Sequence, residues 1–445
     1  MTDWDTLRTA IAGDVALPGS DDYERLRKPA LARFWDVRPQ AVVRARAPED
    51  VAEALALARR RGLAVTARSG GHCFAGCSST SGVLLDVGPI DGVAVADGSV
   101  TVGAGATLGA LYDALAEHGR TIAGGCGPTV GIAGLTLGGG LGILGRRHGL
   151  TSDQLLAAEV VLPDGRVVDC DENHHGDLFW ALRGAGGCRF GVVTSLVLRT
   201  LPAPDATTFD LRWPAGAAAG LVDAWQHWAP DAPEEVAASL IVTAGADPDR
   251  PVVVKVFGAV LGSERDARAT LEEFVDRAGV DPATAAFEQL PYREAKRHLA
   301  EADEGSAAKP EPGHLYAKSE FFRAPLPAPA IAALVEHLGA GRVAGEAREL
   351  DFSPWGGAYN RVPPDATAFV HRKERFLLKH EVVVAAEALT ENARAWLRRS
   401  WELARATPAG GAYPNFTDAD LGPWDRSYHG ANLDRLLWVK ARYAG

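Results

Sequence analysis

The chain has 445 residues, a length at which one hydrophobic core rarely suffices, so two domains are expected. Apolar residues make up 47% and charged residues 23%, the balance of a soluble globular protein, and no run nears the roughly 20 apolar residues of a membrane span. A formal net charge of -11 with no clustered basic surface argues against a nucleic-acid partner.

The start, Met1-Thr2-Asp3-Trp4-Asp5, has neither the basic region nor the apolar region of a secretory signal, so a cytoplasmic location is expected. Cysteines at 73, 77, 126, 170 and 188 are odd in number and confined to the first half, which argues against a disulfide framework. Abundant Ala, Arg and Gly beside a single Met suggests a GC-rich bacterial genome.

In chain order, Ala41–Ala45 reads as a strand. Pro48 opens a helix whose apolar face is Val51, Ala54, Leu55 and Ala58 and which stops at Gly62. Leu63–Ala67 and Val83–Val87 read as strands about a glycine turn, Arg68-Ser69-Gly70-Gly71-His72, that continues through Cys73 to Cys77. A histidine on such a turn is by itself more often structural than reactive. Cys73 and Cys77 beside it lack a fourth ligand and any zinc spacing, so no metal is expected and they read as small buried residues. Asp97-Gly98 marks a hairpin between Val93–Val95 and Val100–Val102, and Thr107 caps a helix ending at Gly119.

Residues 124–142 hold so many glycines that neither a stable helix nor a regular strand is expected, each costing about 1 kcal/mol relative to Ala in a helix. Free backbone N–H groups there would suit a pyrophosphate; tight packing of a loop against a sheet is the alternative. A Rossmann fingerprint is excluded, because Pro128 occupies the turn, no β-branched strand runs into it and no helix with a ribose-binding acid follows. Leu155–Leu162 and Val167-Val168 enclose a Pro163-Asp164-Gly165 hairpin. Asp177–Arg183 reads as a short helix, and a strand follows Gly191 to Leu201.

The pieces R-S-G-G-H, V-G-x-x-G-L-x-L-G-G-G-x-G, D-L-F-W-A-L-R-G, F-G-V-V-T and a C-terminal Y-x-N stand in one order over nearly the whole chain. That order resembles the flavin-linked oxidases of the vanillyl-alcohol oxidase and p-cresol methylhydroxylase superfamily, in the berberine-bridge-enzyme-like branch. The resemblance implies an α+β fold, with a two-subdomain FAD-binding domain and an antiparallel-sheet substrate domain covered by helices. It implies FAD bonded through a ring nitrogen of His72 to the flavin 8α-methyl carbon, chemistry that suits a neutral imidazole nucleophile. Arg68, Ser69, Gly70 and Gly71, with Gly125, Cys126, Thr129, Val130, Gly131, Gly134, Gly140 and Gly142, would surround the cofactor, and Val193 would face its adenine side. A second bond from Cys126 is the weaker implication. Relatives with that bond carry the cysteine three residues before the valine of the V-G pair, and Cys126 lies four before Val130. Cys188 and Arg189 stand where the family commonly has Gly and Asn.

Residues 202–206 mark a boundary, so the organisation reads as 1–203 FAD-binding, 204–405 substrate-binding and 406–445 returning to the first domain. Strands are expected at Thr207–Trp213, Ala238–Thr243, Val252–Leu261, Arg342–Phe352 and Phe376–Val384, with helices at Ala215–Trp228, Asp266–Ala278 and Pro329–Leu338. They should form an antiparallel sheet with helices on one face and the other face free for a ligand. Residues 279–318 read as a variable lid or loop. Ala412-Tyr413-Pro414-Asn415-Phe416 carries the Y-x-N motif, which makes Tyr413 the principal candidate base and places Asn415 at the cofactor; an aromatic packed at a domain joint is the other reading. A phenol titrating near pH ~10 needs something to stabilise its phenolate. Asp351, Tyr359 and Lys379 are secondary catalytic candidates. Lys379 falls where relatives often place Gln or Glu, and alternation alone reads it as a solvent-facing strand lysine.

The expected activity is an FAD-dependent oxidase acting on an alcohol of a sugar or specialised metabolite, with molecular oxygen as acceptor and hydrogen peroxide as product. Amine oxidation, oxidative ring closure, and a flavin-binding protein with little catalysis are the alternatives.

Overall fold

Glycines and turns cut the first 200 residues into short strands, which the computed structural model gathers into two small sheets. It describes residues 2–187, 190–304, 309–405 and 409–444; Cys188 and Arg189, and residues 305–308 of the expected lid, lie outside the described residues. The first sheet takes β1 (Asp14–Ala16), β2 (Ala41–Arg44), β3 (Val65–Arg68) and β4 (Val83–Asp86) in the order β1-β2-β4-β3. The expected helix forms as Pro48–Arg60, burying Val51, Ala54, Leu57 and Ala58 and leaving Leu55 half-buried. It crosses from β2 to β3, and both strands run parallel to β4. Parallel neighbours cannot be joined by a tight turn. The connection through Ser69 to Gly82 is therefore a long return loop rather than the expected turn, and it carries His72.

The second sheet takes β5 (Val93–Ala96), β6 (Ser99–Gly103), β8 (Leu155–Val161), β9 (Val167–Cys170) and β10 (Val192–Arg199) in the order β5-β6-β10-β8-β9. The Asp97-Gly98 hairpin forms, with Gly98 at φ +74°, where glycine alone is unstrained. Two short strands, β7 (Arg120–Thr121) and β11 (Leu201–Pro202), pair beside it. One hydrophobic core joins both sheets, and Leu436 and Val439 of the final helix, Leu433–Ala444, enter it.

The second half builds an eight-stranded antiparallel sheet from β12 (Asp205–Pro214), β13 (Val236–Ala244), β14 (Val253–Leu261), β15 (Thr284–Pro291), β16 (His314–Phe322), β17 (Glu346–Pro354), β18 (Phe376–Val384) and β19 (Ala409–Gly411). Its order is β15-β12-β14-β13-β17-β18-β16-β19. On one face Leu211, Leu240, Phe352 and Leu378 pack with Trp225, Phe274, Leu334 and Trp396 of the helices Ala218–Trp228, Glu264–Ala278, Ala328–Gly339 and Thr390–Ala404.

Residues 279–318 are not the loop expected, since they supply β15, the helix Tyr292–Glu304 and the start of β16. Thr284–Pro291 is an edge strand whose exposed positions carry no alternation, and its register comes from β12. In β16 the charges of Lys318 and Glu320 interrupt the apolar pattern; both have partners inside, although one carboxylate oxygen of Glu320 is left without any among the described residues and burial pushes that carboxyl up to about 7. Lys318 reaches Asp418 at 2.6 Å and Asp420 at 2.8 Å, and Glu320 accepts from Trp401 Nε1 at 2.8 Å. The helix Tyr292–Glu304 lies on the sheet's second face, with Tyr292, Ala295 and Leu299 against Ala206 and Ala259, so that face is only partly free.

Candidate functional site

β3 ends at Arg68, whose buried guanidinium donates to the carbonyls of Leu26, Arg27 and Ser78, each at 2.9 Å. The cation neutralises carbonyl dipoles that fix where the return loop leaves the strand. Ser69 Oγ donates to Ala104 O at 2.7 Å. A Cβ on Gly70 would stand 2.3 Å from Gly131 N, and one on Gly131 would stand 2.1 Å from Ser69 Oγ, so these two glycines let the return loop and the 124–142 segment touch backbone to backbone. Gly71 takes φ +76° and delivers His72 beyond that crossing. His72 Nε2 meets Thr129 Oγ1 at 3.0 Å. Burial pushes the imidazole below its usual value, keeping it neutral near pH 7.

The 124–142 segment is not wholly irregular, because Ile132–Leu137 forms a short helix after Gly131. Gly134 lies exposed on it with open space where a Cβ would be. Val130 O accepts from Leu108 N at 2.9 Å. Gly142 passes under Gly124, where a Cβ would come within 1.9 Å of the carbonyl oxygen. Gly125 O accepts from Tyr112 Oη and from Lys296 Nζ, each at 2.9 Å. Cys126, half-buried, has its sulfur 3.8 Å from the Lys296 ammonium and packs beside Ala295 and Leu299. Val193 is buried in β10 opposite Val160.

Tyr413 is buried at 1% exposure, its ring among Phe321, Trp355 and Phe369. Its oxygen accepts from Gly140 N at 2.9 Å, Leu141 N at 3.2 Å and Asn415 Nδ2 at 3.2 Å. Asn415 Nδ2 also donates to Leu135 O at 2.9 Å, which fixes the amide's orientation. Burial pushes the phenol up to about 12, the three N–H donors acting the other way. The groups around the Tyr413 oxygen are thus amides rather than a cation, and burial outweighs them. Tyr359 stacks on Trp355 with ring centroids 4.2 Å apart, and its oxygen lies 3.3 Å from Gly142 N. Burial raises that phenol too, which suits packing against the glycine segment.

On the sheet's second face Asp351, Lys379 and Ser319 are register neighbours across β17, β18 and β16. Ser319 Oγ accepts the Tyr413 amide at 3.1 Å. Lys379 is not solvent-facing. At 13% exposure its ammonium lies 3.5 Å from Asp351, 3.6 Å from Glu349 and 3.1 Å from Glu381, and Lys309 completes the group 2.7 Å from Glu381. Burial alone would raise the Glu381 carboxyl; Lys379 and Lys309 outweigh it and hold it at about 2. A carboxyl depressed from its ordinary value of 4.5 contributes stability that is present above pH ~4.5 and lost as pH falls toward 2. Lys379→Met removes one of the two cations, so its acid-side loss of stability is expected to begin roughly one pH unit higher than in wild type. Thermal unfolding of both proteins from pH 7 to pH 3 checks this, and superimposable curves would contradict it.

Phe416 joins these parts. It stacks on Phe74 of the His72 loop with ring centroids 5.7 Å apart, meets Tyr413 edge-on at 5.0 Å, and lies under the Lys379 ammonium at 5.5 Å. Sequence reasoning quoted Phe416 only as the neighbour of Asn415. Its position directly after the motif was the available signal, whereas Glu349, Glu381 and Lys309 gave none, because their meeting depends on strand register.

A flavin fits the residues present. A neutral imidazole lies just past the crossing of the return loop and the glycine segment, and the same segment offers an open helix face at Gly134 and, at Gly140 and Leu141, amides that hold a phenol oxygen. Among the described residues, no group of three or more His, Cys, Asp or Glu could hold a metal, and no helix is long and apolar enough to cross a membrane.

The chain is similar to known flavoproteins. Residues 39–171 match the FAD binding domain and residues 412–443 match the berberine and berberine-like family. The uncharacterized FAD-linked oxidoreductase YvdP of Bacillus subtilis is 31% identical over 447 residues, covering 98% of this chain and 96% of that protein. The chitooligosaccharide oxidase of Gibberella zeae is 31% identical over 430 residues, covering 91% and 85%. A solved structure of glucooligosaccharide oxidase from Acremonium strictum, described with a 6-S-cysteinyl, 8α-N1-histidyl FAD, is 25% identical, covers 99% of this chain and 96% of that one, and superposes with a TM-score of 0.87. The chain belongs to the berberine-bridge-enzyme-like FAD-linked oxidoreductases of the vanillyl-alcohol oxidase and p-cresol methylhydroxylase superfamily.

Proposed function

We propose that the protein is an oxidase of alcohol groups on a sugar or specialised metabolite, with FAD held covalently by His72. The observation that carries this reading is the meeting of the His72 loop and Tyr413 on the two sides of Phe416. FAD held there by His72 would supply the hydride acceptor, with molecular oxygen as the final acceptor and hydrogen peroxide as the product. His72 contributes a neutral ring nitrogen for attachment, and Thr129 fixes the ring through the other nitrogen. Tyr413 takes the proton of the substrate hydroxyl. The amides of Gly140, Leu141 and Asn415 converge on its oxygen and stabilise the charge that the phenolate carries, as an oxyanion hole does. Asp351 and Lys379 border the substrate's side of the sheet.

A single attachment is the reading we prefer. What supports it is the place of Cys126, whose flanking carbonyls at Gly124 and Gly125 are held by Lys296 from the helix Tyr292–Glu304, with the sulfur against that helix. The likeness to two oligosaccharide oxidases favours carbohydrate alcohols within the wider class. Peroxide release from a panel of mono- and oligosaccharides and other alcohols tests the reading. Peroxide from at least one member is expected, and a panel that neither yields peroxide nor bleaches the flavin would overturn it.

A further inference from the structure

The sulfur of Cys73 is surrounded by donors. The return loop turns back on itself directly after His72, with Gly76 N donating to Cys73 O at 3.1 Å and Gly76 at φ +75°. That turn aims the amides of Ala75 and Cys77, and the Cys77 thiol, at the Cys73 sulfur. The Thr417 hydroxyl stands 3.4 Å from the same sulfur. Because Thr417 Oγ1 already accepts from Ala75 N at 3.0 Å, its own proton is free for the sulfur. Convergent donors stabilise an anion: the Cys77 thiol above all, then the Thr417 hydroxyl and the amides, hold the Cys73 thiol down at about 5 against the upward push of burial. Both cysteines are half-buried, more open than Cys170, which is buried.

We infer that Cys73 and Cys77 form a redox-active dithiol, a modification site for hydrogen peroxide and alkyl hydroperoxides beside the flavin anchor. The Cys73 thiolate attacks one peroxide oxygen. An S–O bond forms as the O–O bond breaks, and the departing hydroxide takes a proton to become water. Cys77 then loses its thiol proton and attacks the Cys73 sulfur, and the hydroxyl leaves as a second water. Two thiols and one peroxide thus give one disulfide and two waters, sulfur being oxidised and peroxide reduced. The turn closed by Gly76 N and Cys73 O brings residues 73 and 77 to the same side of the loop, so forming a bond of ~2.05 Å needs a movement confined to that loop. Thr417 follows Phe416 in the chain, so oxidation removes a contact between the His72 loop and the segment carrying Tyr413.

The test uses added hydrogen peroxide on the purified holoenzyme, so it does not depend on the chain making peroxide itself. At pH 7 a thiol near 5 is almost wholly thiolate, whereas a thiol pushed up by burial is almost wholly protonated, so Cys73 is expected to be oxidised at least about tenfold faster than a buried thiol of the same chain. Cys170, buried and pushed up to about 12, is the internal comparator. The expected result is a peptide spanning 73–77 that loses two hydrogens and regains them with dithiothreitol. Cys77→Ser should instead trap a dimedone-reactive sulfenic acid at Cys73, and Thr417→Val should slow the reaction. Oxidation at Cys73 no faster than at Cys170, or passing straight to sulfinic acid with Cys77 still reduced, would overturn the inference.

Discussion

Tyr413→Phe is expected to lower turnover with the best substrate by about 10²–10⁴-fold, the usual contribution of a positioned acid–base group. The substitution removes one oxygen and leaves Gly140 N–H, Leu141 N–H and the Asn415 amide facing a hydrocarbon edge. Its stability should fall by about 1–3 kcal/mol, the cost of stranding buried donors. Two effects are therefore predicted, and the pH profile separates them. Because burial pushes the phenol up to about 12, only a small fraction is phenolate at neutral pH. Wild-type kcat/KM should climb with pH through the alkaline range, and the residual activity of the variant should lose that climb. A variant with turnover within tenfold of wild type and an unchanged alkaline slope would remove Tyr413 from the chemistry.

Arg372→Met is expected to destabilise the fold by about 3–5 kcal/mol, the usual loss when one member of a buried ion pair is removed. The side chain is fully buried, and its guanidinium grips Asp153 with both terminal nitrogens, at 2.9 Å and 2.6 Å, while Nη2 also donates to Thr367 Oγ1 at 3.0 Å. Asp153 caps Leu150 N at 2.9 Å beside the glycine segment, and Arg372 lies between Phe369 and β18, so this pair ties the two halves of the chain together behind Tyr413. Methionine fills much of the volume but leaves the carboxylate without its cation. Thermal unfolding should drop by roughly 10 °C. Asp153→Asn on the same background should recover part of the loss, since it removes the unpaired charge. A drop of only a degree or two would mean that the pair contributes little.

Motifs that work through local backbone chemistry were legible in the sequence. Pro48 and the i, i+3, i+4 pattern marked a helix, Asp97-Gly98 marked a hairpin, and the glycines between 124 and 142 announced chains in close contact. The order of those motifs carried the family and its cofactor. What stayed hidden depends on pairings between distant residues. The return loop after Arg68 looked like a turn because local sequence does not encode whether β3 and β4 run parallel or antiparallel. β16 escaped because Lys318 and Glu320 sit where apolar residues would normally mark a buried strand, and their partners lie about 100 and 80 residues away. Lys379 read equally well as a surface lysine, since only register brings Glu349, Asp351 and Glu381 around it. Helix Tyr292–Glu304 was available from its spacing of Tyr292, Ala295, Lys296 and Leu299, and the Pro- and Glu-rich surroundings obscured it.

The role of His72 as the single covalent anchor is tested most directly by acid precipitation of wild type and His72→Ala, followed by absorbance of pellet and supernatant. The account predicts that the yellow colour stays with the wild-type pellet and passes wholly into the supernatant for His72→Ala. Colour released from the wild-type protein would contradict the covalent bond, and colour retained by His72→Ala would place an anchor elsewhere, with Cys126 the first position to examine.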